Sequence, residues 1–103
     1  MAILLSCSIE MVGQSRKVIS GTVTEKFGNT LEPLIGVNVN IVNNQNRSLG
    51  GGITNMNGQY NVIVPEDAKD LTIVFSYIGM KSKRVKYTGQ TALNMTLESE
   101  AHN

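Results

Sequence analysis

The chain has 103 residues and a formal net charge of +1, which fits one domain and gives no basic excess of the kind nucleic-acid binders carry. Its one cysteine, Cys7, excludes an internal disulfide and a cysteine-based zinc cluster, and no run approaches the ~20 apolar residues of a membrane helix. Hydrophobic residues make up 41% but aromatics only 5%, so Val, Ile and Leu must fill the core, and that favours strands.

Residues 1–16 read as a flexible N-terminal segment. Ile3 to Cys7, followed by Ile9, Met11 and Val12, resembles the tail of a secretory signal, with Val12-Gly13-Gln14 as a small-residue cleavage region. Leu4-Leu5-Ser6-Cys7 also resembles a lipoprotein box, in which Cys7 would carry lipid. An ordinary N-terminal stretch is the third reading.

From Lys17 onward short strands alternate with turns. Ile19, Gly21 and Val23 share one face of Val18–Thr24, and Phe27-Gly28-Asn29 is a turn. Glu32 to Gly36 is an irregular link in which Pro33 biases Glu32 to an extended shape. Val37, Val39 and Ile41 alternate with Asn38, Asn40 and Val42, and Asn43 to Asn46 is a polar turn. Arg47 to Thr54, with Gly50-Gly51-Gly52, reads as a weak strand or loop. Asn57-Gly58 predicts a tight primed hairpin turn with both residues at positive φ. Tyr60, Val62 and Val64 then form the apolar face of a strand that Pro65 stops. Leu71 to Ile78 is apolar on both faces, which predicts a central strand that is covered on both sides or spans the core fully. Lys81 to Tyr87 is basic, and Thr91 to Leu97 is the last strand, with Leu93, Met95 and Leu97 inward. Residues 99–103 read as a loose tail. About seven strands at this spacing predict an all-β, antiparallel Greek-key β-sandwich over 17–98.

Little in the chain speaks of chemistry. His102, the only histidine, lies in the tail, so a histidine triad or histidine zinc site in the sandwich is excluded. Asn55-x-Asn57-Gly58 offers amides where a calcium loop would use carboxylates, and the triple glycine lacks the Lys-Ser/Thr of a phosphate loop. No catalytic residue, metal ligand or cofactor site is predicted. Lys81, Lys83, Arg84, Lys86 and Tyr87 form the one candidate partner surface. Its alternative is an edge strand that uses lysine to resist aggregation. Tyr60 and Tyr77 fall on core faces by alternation, which leaves Tyr87 as the tyrosine to watch for sugar stacking.

Ile19 to Thr24, Gly28 and Pro33 to Val39, then Gly52 to Tyr60 with Val64-Pro65, and finally Leu71 to Gly79, resemble a carboxypeptidase regulatory-like domain across residues 17–98. The Phe75-Ser76-Tyr77-Ile78-Gly79 variant is similar to the domain at the N-terminus of SusC-like TonB-dependent outer-membrane transporters of Bacteroidetes. Glu25 and Asn55 stand where that family usually has Asp, and Met80 where it has an aromatic. The resemblance implies a transthyretin-like sandwich, located in the periplasm at the outer membrane, with no catalysis. Its expected partner is a transporter plug or the periplasmic machinery. The alternative is a carbohydrate-binding or scaffold module of a secreted or surface protein.

Overall fold

The computed structural model describes residues 17–100. Cys7 and the rest of 1–16, together with His102 in 101–103, lie outside the described residues. Eight strands and no helix make up the described part. They are β1 (Lys17–Phe27), β2 (Thr30–Pro33), β3 (Asn38–Val42), β4 (Ser48–Ile53), β5 (Gln59–Val64), β6 (Thr72–Ser76), β7 (Lys83–Lys86) and β8 (Met95–Leu97).

β1 is the hub of one sheet. Its first half pairs antiparallel with β5, its second half pairs antiparallel with β2, and β8 joins it in parallel at Val23–Glu25. The other sheet runs β4-β3-β6-β7, antiparallel throughout. The prediction of a β-sandwich therefore holds, with one strand more than expected and one parallel pairing. The added strand is β2, whose residues are all exposed. With no buried face it carries no apolar alternation, so periodicity could not reveal it.

Alternation puts the core where the sequence places it. Ile19, Val23, Val39, Ile41, Tyr60, Val62, Ile73, Phe75 and Leu97 are buried between the sheets. Val39 stands opposite Phe75 and Ile41 opposite Ile73, so these pairs stack on the inner face. Burying each such side chain is worth roughly 1.5–3 kcal/mol. β6 is central in its sheet, between β3 and β7, but it is covered on one face only: Thr72, Val74 and Ser76 stay half-buried on the other. Val42, placed by alternation on the asparagine face, is buried as well, at a point where the β3–β4 register shifts by a bulge. The last strand is shorter than expected, because the chain ahead of Met95 makes only an isolated parallel bridge from Ala92 to Ser20. Residues 98–100 run back along the turn after β6. The Lys81 N–H donates to the Glu98 carbonyl at 2.8 Å, and the Glu100 N–H to the Gly79 carbonyl at 2.9 Å.

The glycine run is strand β4, and its half-buried Gly50 and Gly52 lie against the β5 backbone. The next turn differs from the predicted hairpin. Asn57 keeps a negative φ, and only Gly58 is left-handed, at φ 75°. The Gly58 N–H donates to the Asn55 carbonyl, and Asn55 Oδ1 accepts from the N–H groups of Asn57 and Gln59. Asn43 to Arg47 repeats this plan: the Asn46 N–H donates to the Asn43 carbonyl, Asn43 Oδ1 accepts from Gln45 and Arg47, and Asn46 takes φ 64°. One turn joins the paired strands β3 and β4, while the other carries the chain from one sheet to the other. Thr54, the buried polar residue at that crossing, accepts the Val37 N–H and donates to the Leu34 carbonyl at 2.6 Å, so no polar group is stranded there.

Candidate functional site

The basic stretch forms edge strand β7. Arg84 and Lys86 are exposed on its outer side, whereas Lys83, Val85 and Tyr87 are half-buried on the alternate positions, with Lys83 opposite Phe75 and Val85 opposite Ile73. Three of the four charges that adjoin in sequence are therefore divided between the two sides of a strand, while Lys81 is exposed ahead of it. Tyr87 packs against the core and offers no flat exposed platform. Arg84 Nη2 donates to Asn46 Oδ1 at 3.1 Å, and Gln90 Nε2 donates to the Lys86 carbonyl at 3.1 Å. A short, charged edge with one carbonyl capped by a neighbouring side chain disfavours pairing with a further strand.

A different constellation assembles on the outer face of β1 and β5. Ser20 pairs with Asn61 and Thr22 with Gln59, so the four side chains share one face. Asn94, from the segment ahead of β8, joins them and accepts the Thr22 N–H at 2.9 Å. Together with Ile53, Asn55 and Ala92 they line an open cleft of about 620 Å³.

Gly21 sets the depth of the 91–94 segment. A Cβ at residue 21 would stand 1.9 Å from the Leu93 carbonyl oxygen, so only glycine lets that segment lie against β1. The Ser20 N–H donates to the Thr91 carbonyl and the Leu93 N–H to the Ser20 carbonyl. Tyr60 closes the arrangement from the core side, where its hydroxyl donates to the Leu93 carbonyl at 2.6 Å and its ring meets Phe75 edge-on with centroids 5.6 Å apart. Burial pushes the Tyr60 hydroxyl up to about 12.

Sequence reasoning singled out none of Ser20, Thr22, Gln59 or Asn61 as a site residue, and met Asn94 only as the first residue of an Asn-x-Thr glycosylation pattern, Asn94-Met95-Thr96. The signal was present only as polar residues at every second position of two strands. Which of them meet depends on register and on a close approach at Gly21. Among the described residues no group of three or more His, Cys, Asp or Glu is placed to hold a metal ion.

The family model of the CarboxypepD_reg-like domain matches residues 19–103, which include nearly all of this two-sheet sandwich. The chain belongs to the CarboxypepD_reg-like domain family. No curated protein is a significant match to this domain. Among solved structures it is similar to a chain of the type II cohesin–X-dockerin complex of Acetivibrio cellulolyticus, an N-terminal interface mutant, with 16% identity and a TM-score of 0.60 over 81% of this chain and 58% of that one. The C-terminal interface mutant of that complex gives 17% identity and a TM-score of 0.57 over 79% and 56% of the two chains. GBS52, the minor pilin of Streptococcus agalactiae, gives 12% identity and a TM-score of 0.55 over 86% and 47%. The CarboxypepD_reg-like domain thus spans about half the length of these solved chains. At such identities the likeness speaks to the fold, and it agrees with a β-sandwich. The family is a regulatory-like one, and no enzymatic family is matched. No helix of the described residues is long and apolar enough to cross a membrane.

Proposed function

We propose that this domain is a non-catalytic interaction module, carried in the periplasm by a TonB-dependent outer-membrane transporter of glycans or other nutrients. The observation that carries the reading is the turn after β6. Its residues Phe75-Ser76-Tyr77-Ile78-Gly79 resemble those of the SusC-like transporter domains. There the Met80 N–H donates to the Tyr77 carbonyl, Gly79 takes φ 81°, and Ile78 is 90% exposed at the apex. A large aliphatic side chain held out on a tight turn gains nothing from its own fold and suits contact with a protein surface. Structural kinship with a chain of a cohesin–X-dockerin complex supports an interaction role in general terms. The transporter plug and the periplasmic machinery are the partners this placement implies.

The test is the native reading frame after Asn103. A plug and a barrel of several hundred residues in the same frame are expected. A stop codon, or a string of further sandwich domains, would remove the transporter assignment and leave a free-standing or surface-displayed module.

A further inference from the structure

The β1–β5 cleft has a donor arrangement that the fold does not use. Asn94 Oδ1 accepts the Thr22 N–H, Asn61 Oδ1 accepts the Ser20 hydroxyl, and Gln59 Oε1 accepts from Asn55 Nδ2 at 3.4 Å. An amide whose oxygen is held in this way directs its NH2 group away from that bond. Gln59, Asn61 and Asn94 all line the cleft together with Ser20 and Thr22, so its wall holds three amides whose NH2 groups these bonds leave unused. Every residue lining it is uncharged. Ile53, 63% exposed on the rim, supplies aliphatic surface beside these polar groups.

We infer that this cleft binds a neutral oligosaccharide. Sugar hydroxyls accept from amide donors and donate to hydroxyl oxygens, which is the mixture presented here, and the C–H faces of sugar rings can lie on Ile53. A phosphate or carboxylate site would bring Arg or Lys to the rim, and none lines this one. An aliphatic ligand would strip water from three amide donors without replacing it, which costs more than the contact returns. The size suits a few sugar rings, since small-molecule sites run from roughly 300 to 1,000 Å³.

The experiment is a titration of the 15N-labelled chain with maltohexaose, cellohexaose, xylohexaose and mannohexaose, and with hexagalacturonate as a charged counterpart. At least one neutral hexasaccharide is expected to shift the amides of residues 20, 22, 53, 59, 61 and 94 at millimolar concentration. Asn61→Asp and Asn94→Asp each keep the oxygen that the fold uses and replace the NH2 donor with a second oxygen. Each is expected to weaken binding at least tenfold while the amide spectrum stays dispersed, and Gln59→Glu serves as a third probe at an exposed position. No shift with any neutral sugar at about ten millimolar would overturn the proposal. So would shifts centred on β7, tighter binding of hexagalacturonate, or unchanged affinity in a folded Asn61→Asp/Asn94→Asp double variant. The outcome is independent of the reading frame beyond Asn103, so the transporter assignment can fail while this one stands.

Discussion

The β7 edge and the β1–β5 face are both polar, and they are assembled by opposite rules. Four cations lie within six residues of sequence; Lys81 stands ahead of β7, and alternation sends Lys83 to one side of the strand and Arg84 and Lys86 to the other. On β1–β5 the polar groups come from residues 20–22, 59–61 and 94, and register brings them into one cleft. The first grouping is dense in sequence and dispersed in space, while the second is the reverse. A constellation that needs several elements to converge is held by the core beneath it, and an edge strand asks only for solvent. Perturbing the supports of the cleft should therefore cost folding stability, whereas perturbing the edge should change association.

Gly21→Ala gives the largest expected effect. The new methyl meets the Leu93 backbone carbonyl, which cannot rotate aside as a side chain would. Relief requires residues 91–94 to move off β1, with loss of the Ser20–Thr91 and Leu93–Ser20 bonds and of the Tyr60 hydroxyl contact. Overpacking together with three broken hydrogen bonds, the Tyr60 one part-buried, should lower stability by about 3 kcal/mol. Urea unfolding reads this as a lower midpoint with an unchanged slope. A loss below about 1 kcal/mol would show that the segment is not braced at this point.

Tyr60→Phe is smaller and has a pH signature. Removing the hydroxyl leaves the Leu93 carbonyl without that donor, at a cost of about 1–2 kcal/mol. The folded hydroxyl titrates near 12, against about 10 when the chain is unfolded. As the unfolded state gives up its proton first, this contribution is complete below about pH 10 and is lost as the pH rises through about 12. Wild-type stability should fall across that window more steeply than that of the variant. Parallel slopes in thermal melts between pH 9 and 12 would show that burial does not perturb this group.

Much of the sandwich was legible because a period of two and a turn residue are local facts. Val39, Ile41, Tyr60, Val62, Ile73 and Phe75 declare their faces without any partner. β2 was invisible because a strand with no buried face has no pattern to show. The Asn57-Gly58 pair marks the place of the turn but not its type: Asn55, two residues before Asn57, captures the backbone N–H groups and leaves only Gly58 left-handed. The cleft was out of reach for another reason. It depends on Ser20 facing Asn61 and not its neighbour, and one step of slip would turn those side chains inward. Nothing near Ser20 in sequence fixes that register. The core packing of the whole sandwich does.

The smallest effect on stability, and the most informative about partners, should come from Lys81→Gln, Lys83→Gln and Lys86→Gln combined. Exposed charges of this kind seldom change stability by more than about 0.5 kcal/mol. Lys83 is the exception to watch, since its half-buried stem lies opposite Phe75. Glutamine keeps part of that stem in place. What the lysines do on an edge strand is make approach of another strand unfavourable, because a second β7 would bring like charges together while its backbone paired. Light scattering across a concentration series should therefore show the triple variant associating where the wild type does not. If the variant stays monomeric but loses binding to a transporter plug, the edge is a docking surface and its charges serve recognition. If it associates and still binds, the charges guard the edge, and the contrast with the β1–β5 face stands.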